Sequence, residues 1–269
     1  MYTQSFITIN DIAIRVLDTG SAADALVFVH GNSCSAEFWE EQLGDEELAT
    51  RYRLISFDLP GHGGSGRPAV YRMREMALLI PALIGSLGLK RYAMVGISFG
   101  TYLIGEAAAV LEGCAGYFLA SPNIANETHP PTAFLLPIAE GVALASPAVP
   151  DEVLAGFARK MVANEASAIV QRYQQSYRQT DGNFRVAVGQ AIMTQEWTDG
   201  LAHLSAGGVP VGIVFGTKEV MIRTDYLDDL ACRWEGRTHF VEGAAHLVNM
   251  EQAEAFNELL LRWAEDCFK

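Results

Sequence analysis

The stretch Tyr-Ala-Met-Val-Gly-Ile-Ser-Phe-Gly-Thr, residues 92–101, decides the fold of this chain. An apolar run typical of a buried strand leads into a G-x-S-x-G pentapeptide at 96–100, and a helix-forming segment follows it. In that context the pentapeptide indicates a sharp strand-to-helix turn, where small residues let the serine hydroxyl project from the top of a sheet. We therefore predict that Ser98 is a nucleophile. Without the flanking strand and helix, a structural turn would be the better interpretation.

Short apolar runs alternate with helical stretches on both sides of this turn. Strands are predicted at 5–9, 12–18, 25–30, 54–58, 93–97, 116–120, 211–215 and 238–242, and helices at 72–88, 99–112, 224–232 and 249–267. Several of the strands are near-continuous apolar runs, as expected of parallel strands buried on both faces. The pattern predicts an α/β fold with a mainly parallel, eight-stranded sheet flanked by helices.

The segment 123–205 interrupts this alternation, because it carries amphipathic helical stretches and no strand pattern. Turn signals bound it, with Ser-Pro-Asn at 121–123 and Gly-Gly-Val-Pro at 207–210. We predict that 123–205 forms a helical cap inserted into a core made of 1–122 and 206–269. Such a cap would cover the carboxyl edge of the sheet, where open α/β sheets bind ligands.

The composition narrows the classes of partner. The chain has 19 Lys and Arg against 32 Asp and Glu, and its net charge of −13 would repel nucleic acid and anionic membranes. The four cysteines are scattered, and no histidine spacing suggests a metal site. The N-terminal stretch lacks an export-signal pattern, and no apolar run reaches bilayer length. We expect a cytoplasmic protein with free thiols and with no metal or cofactor; the oligomeric state stays open.

A serine hydroxyl is a weak nucleophile until an adjacent base takes its proton, so a histidine must lie elsewhere in the chain. Around this type of turn, the chain order is serine, acid, histidine. His246 follows the last predicted strand, whereas His239 falls inside that strand, where a packed imidazole is expected. Glu219 follows the apolar strand at 211–215, and Asp225 competes with it, although Asp225 could only cap a helix. We predict His246 as the general base and Glu219 as the orienting acid.

The tetrahedral intermediate of such a reaction needs backbone donors for its oxyanion. We expect one from the amide of Phe99 and one from the amide of Asn32 or Ser33, in the loop after the strand at 25–30. The apolar cap suggests a small ester or lactone substrate with a hydrophobic arm, although most of its apolar residues should pack the cap onto the sheet. Candidate substrate contacts are the Asn32 side chain, which could equally stabilise the turn, and the aromatic residues Phe38, Trp39, Phe134 and Tyr173.

Several blocks in the right order resemble the α/β-hydrolase superfamily across essentially the whole chain: VFVHGNS, ISFDLPGHGGSG, MVGISFGT, VFGTKE and VEGAAHLV. Within it, the stretches HGNSCSAEFW, TDGNFR, FGTKEVMI and WEGRTHFVEGAAH are similar to the N-acyl-homoserine lactonases of the quorum-quenching group. The resemblance implies the α/β-hydrolase fold, a glutamate acid matching Glu219, and opening of a homoserine lactone ring by serine attack without a metal. Thr101 departs from the pattern, because a second glycine is common there.

The sequence therefore predicts a serine hydrolase that opens N-acyl-homoserine lactones, or hydrolyses related carboxylic esters, through an acyl-enzyme on Ser98. A general short-chain carboxylesterase would use identical machinery. A ligand-binding sensor of the same fold with little turnover is the alternative from a different class. Haloalkane dehalogenation is disfavoured, because serine stands where those enzymes have an aspartate nucleophile.

Overall fold

Eight strands form one sheet in the part of the chain that the structure describes. The structure is a computed structural model, and it describes residues 2–20, 22–165 and 167–269. The strands are β1 (Thr3–Ile9), β2 (Ile12–Asp18), β3 (Ala25–Val29), β4 (Arg53–Phe57), β5 (Tyr92–Ile97), β6 (Cys114–Ala120), β7 (Val211–Gly216) and β8 (His239–Val241). Their order is β1-β2-β4-β3-β5-β6-β7-β8. The pairs β1–β2 and β2–β4 are antiparallel, and all the others are parallel.

The central strands are buried on both faces, which explains their continuous apolar sequences. Every residue of β3, β5 and β7 is buried. In the parallel register, Val27 of β3 lies between Ile55 of β4 and Met94 of β5. All eight predicted strands are confirmed, with limits within two residues of those expected. Because each central strand is apolar along its whole length, its position could be recognised from the sequence alone.

Helices cover both faces of the sheet. They are α1 (Glu40–Leu43), α2 (Glu46–Arg51), α3 (Met73–Ser86), α4 (Phe99–Ala107), α5 (Pro131–Phe134), α6 (Asp151–Lys160), α7 (Ala168–Gln179), α8 (Gly182–Thr194), α9 (Gly200–Ala206), α10 (Val248–Glu251) and α11 (Ala253–Cys267). α4 packs on β3 and β5, and α11 packs on β6, where Phe118 contacts the rings of Phe256 and Trp263. Of the helices in the described ranges, none combines the length and the apolar character that crossing a membrane requires.

The predicted helix at 224–232 is wrong, because this segment forms consecutive turns. The buried hydroxyl of Tyr226 donates to the carbonyl of Pro122 and accepts from the amide of Ile124, at 3.1 Å each. Arg233 pairs with Asp228 at 2.8 Å. These tertiary and local contacts hold the segment against the chain that leaves β6, and they override its helical propensity.

The chain between β6 and β7 is helical, as predicted, and it lies over the carboxyl ends of the parallel strands. Three hydrogen bonds join it to the loops after β3, β4 and β8: Asn32 Nδ2 to Leu144 O at 3.1 Å, Asp181 N to Gly61 O at 2.9 Å, and Leu247 N to Met161 O at 3.0 Å. Two of these loops carry predicted site residues, Asn32 and Ser33 after β3 and His246 after β8, and these bonds support the proposal that the helical segment caps the site.

The last helix of this segment, α9, packs on α4 and belongs with the helices of the core. Gly105 of α4 and Gly200 of α9 lie against each other, and a Cβ atom at Gly105 would lie 3.5 Å from the Cα of Gly200. We therefore propose that the cap ends before Gly200 instead of at residue 205, with the start after residue 122 kept.

Candidate active site

Ser98 occupies the turn between β5 and α4 in a backbone conformation that non-glycine residues rarely adopt. Its φ is 51° and its ψ is −121°. The amide of Ser98 donates to the carbonyl of Ala120 at 3.0 Å, and its carbonyl accepts from the hydroxyl of Thr101 at 2.6 Å. A Cβ atom at Gly100 would overlap the carbonyl oxygen of Val29, so only glycine lets α4 begin this close to β3. The strand–turn–helix context predicted for the pentapeptide is present, and it leaves the Ser98 side chain at the sheet edge.

His246 and Glu219 form a buried pair at the same edge. His246 Nδ1 lies 2.8 Å from Glu219 Oε2, and the two side chains are 1% and 0% exposed. Glu219 Oε1 accepts from the amide of Met221 at 2.8 Å. Burial alone would raise the pKa of Glu219, but the charge and hydrogen bond of His246, together with the Met221 amide and Ser121, hold that pKa below its usual value. The acid therefore stays ionised and can fix the imidazole.

The second ring nitrogen of His246, Nε2, makes no hydrogen bond to a described residue. With Nδ1–H donating to the carboxylate, Nε2 is the atom that can accept a proton. Nε2 is buried and has no hydrogen-bond partner within residues 2–20, 22–165 and 167–269. A buried ring nitrogen left without a partner needs an explanation, and a proton-accepting role in catalysis is one; the Nε2 of His239 in β8 also lacks a hydrogen-bond partner in these ranges.

The competing candidates for acid and base lie elsewhere. Asp225 is exposed and pairs with Arg223 at 3.1 Å, so it does not contact the imidazole of His246. His239 lies in β8, where its ring stacks on Trp234 with centroids 4.7 Å apart. His239 has the packed role that the sequence offered as its alternative, whereas Asp225 caps no helix, because 224–232 forms turns, and pairs with Arg223 instead.

The loop after β3 lies directly beside the nucleophile, since a Cβ atom at Gly31 would be 3.5 Å from the Cβ of Ser98. Ser33 has a φ of 58°, and its amide points to His62 Nε2 at 3.3 Å. The amide of Asn32 has no acceptor in the described part of the chain, and neither has the amide of Phe99, which opens α4. Of the two loop amides considered, the geometry therefore favours Asn32 as the oxyanion donor.

The Asn32 side chain is already engaged. Its Oδ1 accepts from the hydroxyl of Ser33 at 2.8 Å, and its Nδ2 donates to the carbonyl of Leu144 in the cap at 3.1 Å. This pattern fits the turn-stabilising interpretation, and it leaves the substrate-contact interpretation without support.

The four aromatic residues expected to contact substrate lie in the packed interior. Trp39 packs between Phe28 and Phe256, in the core beneath the sheet. The other three are also buried: Phe134 stacks on Tyr226, and Phe38 and Tyr173 meet edge to face. All four pack against other aromatic side chains in this structure, and their contact with a substrate stays a prediction. Residue type alone could not separate packing aromatics from lining aromatics.

A small apolar crevice opens between α4 and α8. Its volume is about 40 Å³, and its walls include Met73, Phe99, Tyr102, Val188, Ile192 and Trp197. One wall is therefore formed by Phe99, the residue after Ser98. The sequence analysis did not identify the α8 residues that line this crevice. The apolar positions around 188–192 could have indicated them.

The comparisons agree with this architecture. A sequence model of the alpha/beta hydrolase family matches residues 26–259. The chain belongs to the alpha/beta hydrolase family. Among solved structures, this alpha/beta hydrolase is similar to the N-acyl homoserine lactonase AidH complexed with N-butanoyl homoserine, with a TM-score of 0.89 and 21% identity over 98% of this chain and 97% of that one. It is also similar to an esterase from Exiguobacterium antarcticum, with a TM-score of 0.80 and 21% identity over 98% and 100% of the two chains.

Several curated relatives of this alpha/beta hydrolase align over only part of its length. A haloalkane dehalogenase from Mesorhizobium japonicum is 29% identical over 107 residues, which are 39% of this chain and 34% of the relative. For two further relatives the aligned part is only 20% and 25% of their length. The (E)-2-((N-methylformamido)methylene)succinate hydrolase of Acinetobacter baylyi is 21% identical over 90% of both chains.

Within the described ranges of this alpha/beta hydrolase, no group of three or more His, Cys, Asp or Glu side chains is placed to hold a metal ion. The chemistry offered by the site is that of a serine hydroxyl, an imidazole, a carboxylate and two backbone amides.

Proposed function

We propose that the chain is a serine hydrolase that opens the lactone ring of N-acyl-homoserine lactones, or cleaves related carboxylic esters, through an acyl-enzyme on Ser98. The observation that supports this most is the buried Glu219–His246 pair, with a hydrogen bond of 2.8 Å on Nδ1 and a free Nε2. Ser98 stands at the same sheet edge, on the turn between β5 and α4. A nucleophile, a base and an acid that orients the base are the three parts that acyl transfer requires.

In the proposed reaction, His246 Nε2 takes the hydroxyl proton as Ser98 Oγ attacks the carbonyl carbon. The amides of Phe99 and Asn32 hold the oxyanion of the tetrahedral intermediate. Collapse of the intermediate breaks the acyl C–O bond, and His246 returns the proton to the departing alkoxide. For a lactone that alkoxide stays attached through the ring atoms, so the acyl-enzyme carries the whole opened substrate. Water activated by His246 then releases the hydroxy acid and regenerates Ser98.

Glu219 contributes by holding one tautomer of His246 and by stabilising the imidazolium that forms on proton transfer. Its burial and lowered pKa support that role, because the carboxylate remains charged while His246 gains a charge. The apolar crevice between α4 and α8 supports a substrate with a hydrophobic arm beside the reacting carbonyl.

The experiment is a mass analysis of the products from acyl-homoserine lactones with acyl chains of increasing length. We expect a product heavier by one water that retains its acyl chain, which identifies ring opening. Release of a free fatty acid would indicate amide cleavage instead, and intact lactone beside rapid hydrolysis of p-nitrophenyl esters would identify a general carboxylesterase. The structural similarity to an esterase from Exiguobacterium antarcticum supports this second candidate function.

The matched control is Ser98→Ala, which removes only the hydroxyl oxygen. We expect loss of turnover on the order of 10⁴-fold or more with an unchanged circular dichroism spectrum. Undiminished activity would remove Ser98 from the nucleophile role. A single stoichiometric burst by the unsubstituted protein, with no further product, would identify a sensor and not an enzyme.

A further inference from the structure

Arg185 is a buried cation in the cap, on α8. The residue is 2% exposed. Its guanidinium donates to the carbonyls of Ser146 at 2.9 Å, Pro147 at 2.6 Å and Tyr177 at 3.1 Å, and lies 3.8 Å from the centre of the Tyr177 ring. No carboxylate forms an ion pair with it in the described ranges of the chain. A charge buried without a counter-ion costs folding free energy, and an apolar residue of similar size could fill the space. The arginine therefore calls for an explanation beyond packing.

The fourth hydrogen bond of the guanidinium joins the cap to the loop after β3, next to Ser98. Arg185 Nη1 donates to Ser33 Oγ at 3.2 Å, and Ser33 Oγ in turn donates to Asn32 Oδ1 at 2.8 Å. Asn32 Nδ2 then donates back to Leu144 O in the cap at 3.1 Å. A guanidinium can only donate hydrogen bonds, so the Ser33 oxygen accepts from Arg185. The hydroxyl hydrogen of Ser33 is then left to donate to Asn32 Oδ1.

The Ser33 backbone needs this support. Its φ of 58° lies in the left-handed region, and its amide is held by His62 Nε2 at 3.3 Å. The bond to His62 occupies the amide of Ser33, whereas the amide of Asn32 has no acceptor among the described residues. The Asn32 amide lies in the preceding Gly31–Asn32 peptide, so a shift of the backbone at Ser33 would carry that donor with it, and oxyanion stabilisation depends steeply on donor geometry.

Contacts with the core hold the N-terminal turn of α8, which carries Arg185, in place. The Asp181 carboxylate accepts from the Tyr71 hydroxyl at 2.9 Å, and the Asp181 amide donates to Gly61 O at 2.9 Å. The ring of Phe184 packs edge to face on His62, with centroids 4.4 Å apart. The same helical turn thus contacts His62, which holds the Ser33 amide, and carries Arg185, which holds the Ser33 hydroxyl.

We propose that Arg185 is a positioning residue for the oxyanion hole, acting through Ser33 to hold the amide of Asn32 toward the substrate oxygen. The inference rests on the proposed function. It makes the closed cap a condition for catalysis, since the residue that sets the oxyanion loop belongs to the cap.

The test compares Arg185→Met, Ser33→Ala and the double variant in steady-state hydrolysis of a p-nitrophenyl ester. A trifluoromethyl ketone, which forms an oxyanion adduct on the serine, serves as the transition-state probe. For Arg185→Met we expect kcat to fall about 10- to 100-fold while KM changes less than about threefold, because the lost contact acts on the transition state. Affinity for the ketone should fall in parallel with kcat/KM. The double variant should be about as slow as the slower single variant, since both break the same chain of contacts.

Arg172→Met is the matched control. Arg172 is also a cap arginine bound to the core, at Glu37 O and Glu40, but it does not contact the oxyanion loop. It should lower thermal stability and leave kcat within about twofold of the parent. Equal kcat losses in Arg172→Met and Arg185→Met would overturn the proposal, as would multiplicative losses in the double variant.

If Arg185→Met does not fold, Ser33→Ala decides alone, because it removes one hydroxyl and leaves the guanidinium bonded to three carbonyls. An unchanged kcat in Ser33→Ala would overturn the proposal. If the unsubstituted protein hydrolyses no ester or lactone, both the proposed function and this inference are wrong. If it turns over normally and the variants match it, only the inference is wrong.

Discussion

The hydroxyl of Ser121 donates a hydrogen bond of 3.1 Å to the backbone carbonyl of His246. The residue before it, Ala120, accepts from the amide of Ser98 at 3.0 Å. Two consecutive residues at the end of β6 therefore bind the turn at Ser98 and the loop that carries His246. Ser121 is buried and has a φ of 41°, so its placement is costly unless the hydrogen bond is made.

Ser121→Ala should loosen the histidine loop. We expect a loss of about 1 to 2 kcal/mol in the free energy of unfolding, because a buried carbonyl loses its donor. We also expect kcat to fall about tenfold, because His246 is less well held relative to Ser98 and Glu219 loses its contact with this hydroxyl. Denaturant titration and ester kinetics measure the two effects. A kcat equal to that of the parent would show that the strand end does not control the histidine.

Glu219→Gln should lower kcat by on the order of 10³ to 10⁴-fold, because a neutral amide cannot stabilise the imidazolium and no longer selects the tautomer. Asp225→Asn is the matched control: this carboxylate lies on the same loop, but it is exposed and paired with Arg223. Its kcat should stay within about twofold of the parent. The reverse pattern, with Asp225 as the sensitive residue, would move the acid to that position.

The lowered pKa of Glu219 predicts a pH dependence of stability. Because the pKa of the folded state lies below the ordinary value of 4.5, the ionised carboxylate stabilises the fold above that value. The contribution is lost as the pH falls through the lowered folded-state pKa. The difference in unfolding free energy between the parent and Glu219→Gln should therefore be constant well above pH 4.5 and shrink as the pH falls below 4.5. A difference that stays constant below pH 4.5 would contradict the pKa assignment.

Val188→Phe should narrow the crevice beside Phe99, since Val188 lines it from α8. We expect kcat/KM for long-chain esters to fall about tenfold or more, with p-nitrophenyl acetate affected less than about threefold. Val142→Phe makes the same substitution at a cap position that is 52% exposed, and it should leave the chain-length profile unchanged. Equal effects on short and long esters would place the acyl arm elsewhere.

Much of the fold was predictable because its determinants are local. The parallel strands are apolar along their whole length, and the turn at Ser98 is set by adjacent glycines such as Gly100. Their order along the chain also made Ser98, Glu219 and His246 candidates before any geometry was known. The helix expected at 224–232 failed for the opposite reason, since Tyr226 finds its hydrogen-bond partners at Pro122 and Ile124, about a hundred residues earlier in the chain.

The sequence by itself determined the sheet, the strand–turn–helix around Ser98 and the order of Ser98, Glu219 and His246 along the chain, because periodicity, glycine placement and chain order are written within short segments. Only the tertiary structure decided that the Ser33 amide binds His62, that Trp39 and Phe134 are buried, and that α9 packs on α4. Each of those outcomes depends on contacts between segments far apart in the chain, where the identity of one residue carries no information about its partner.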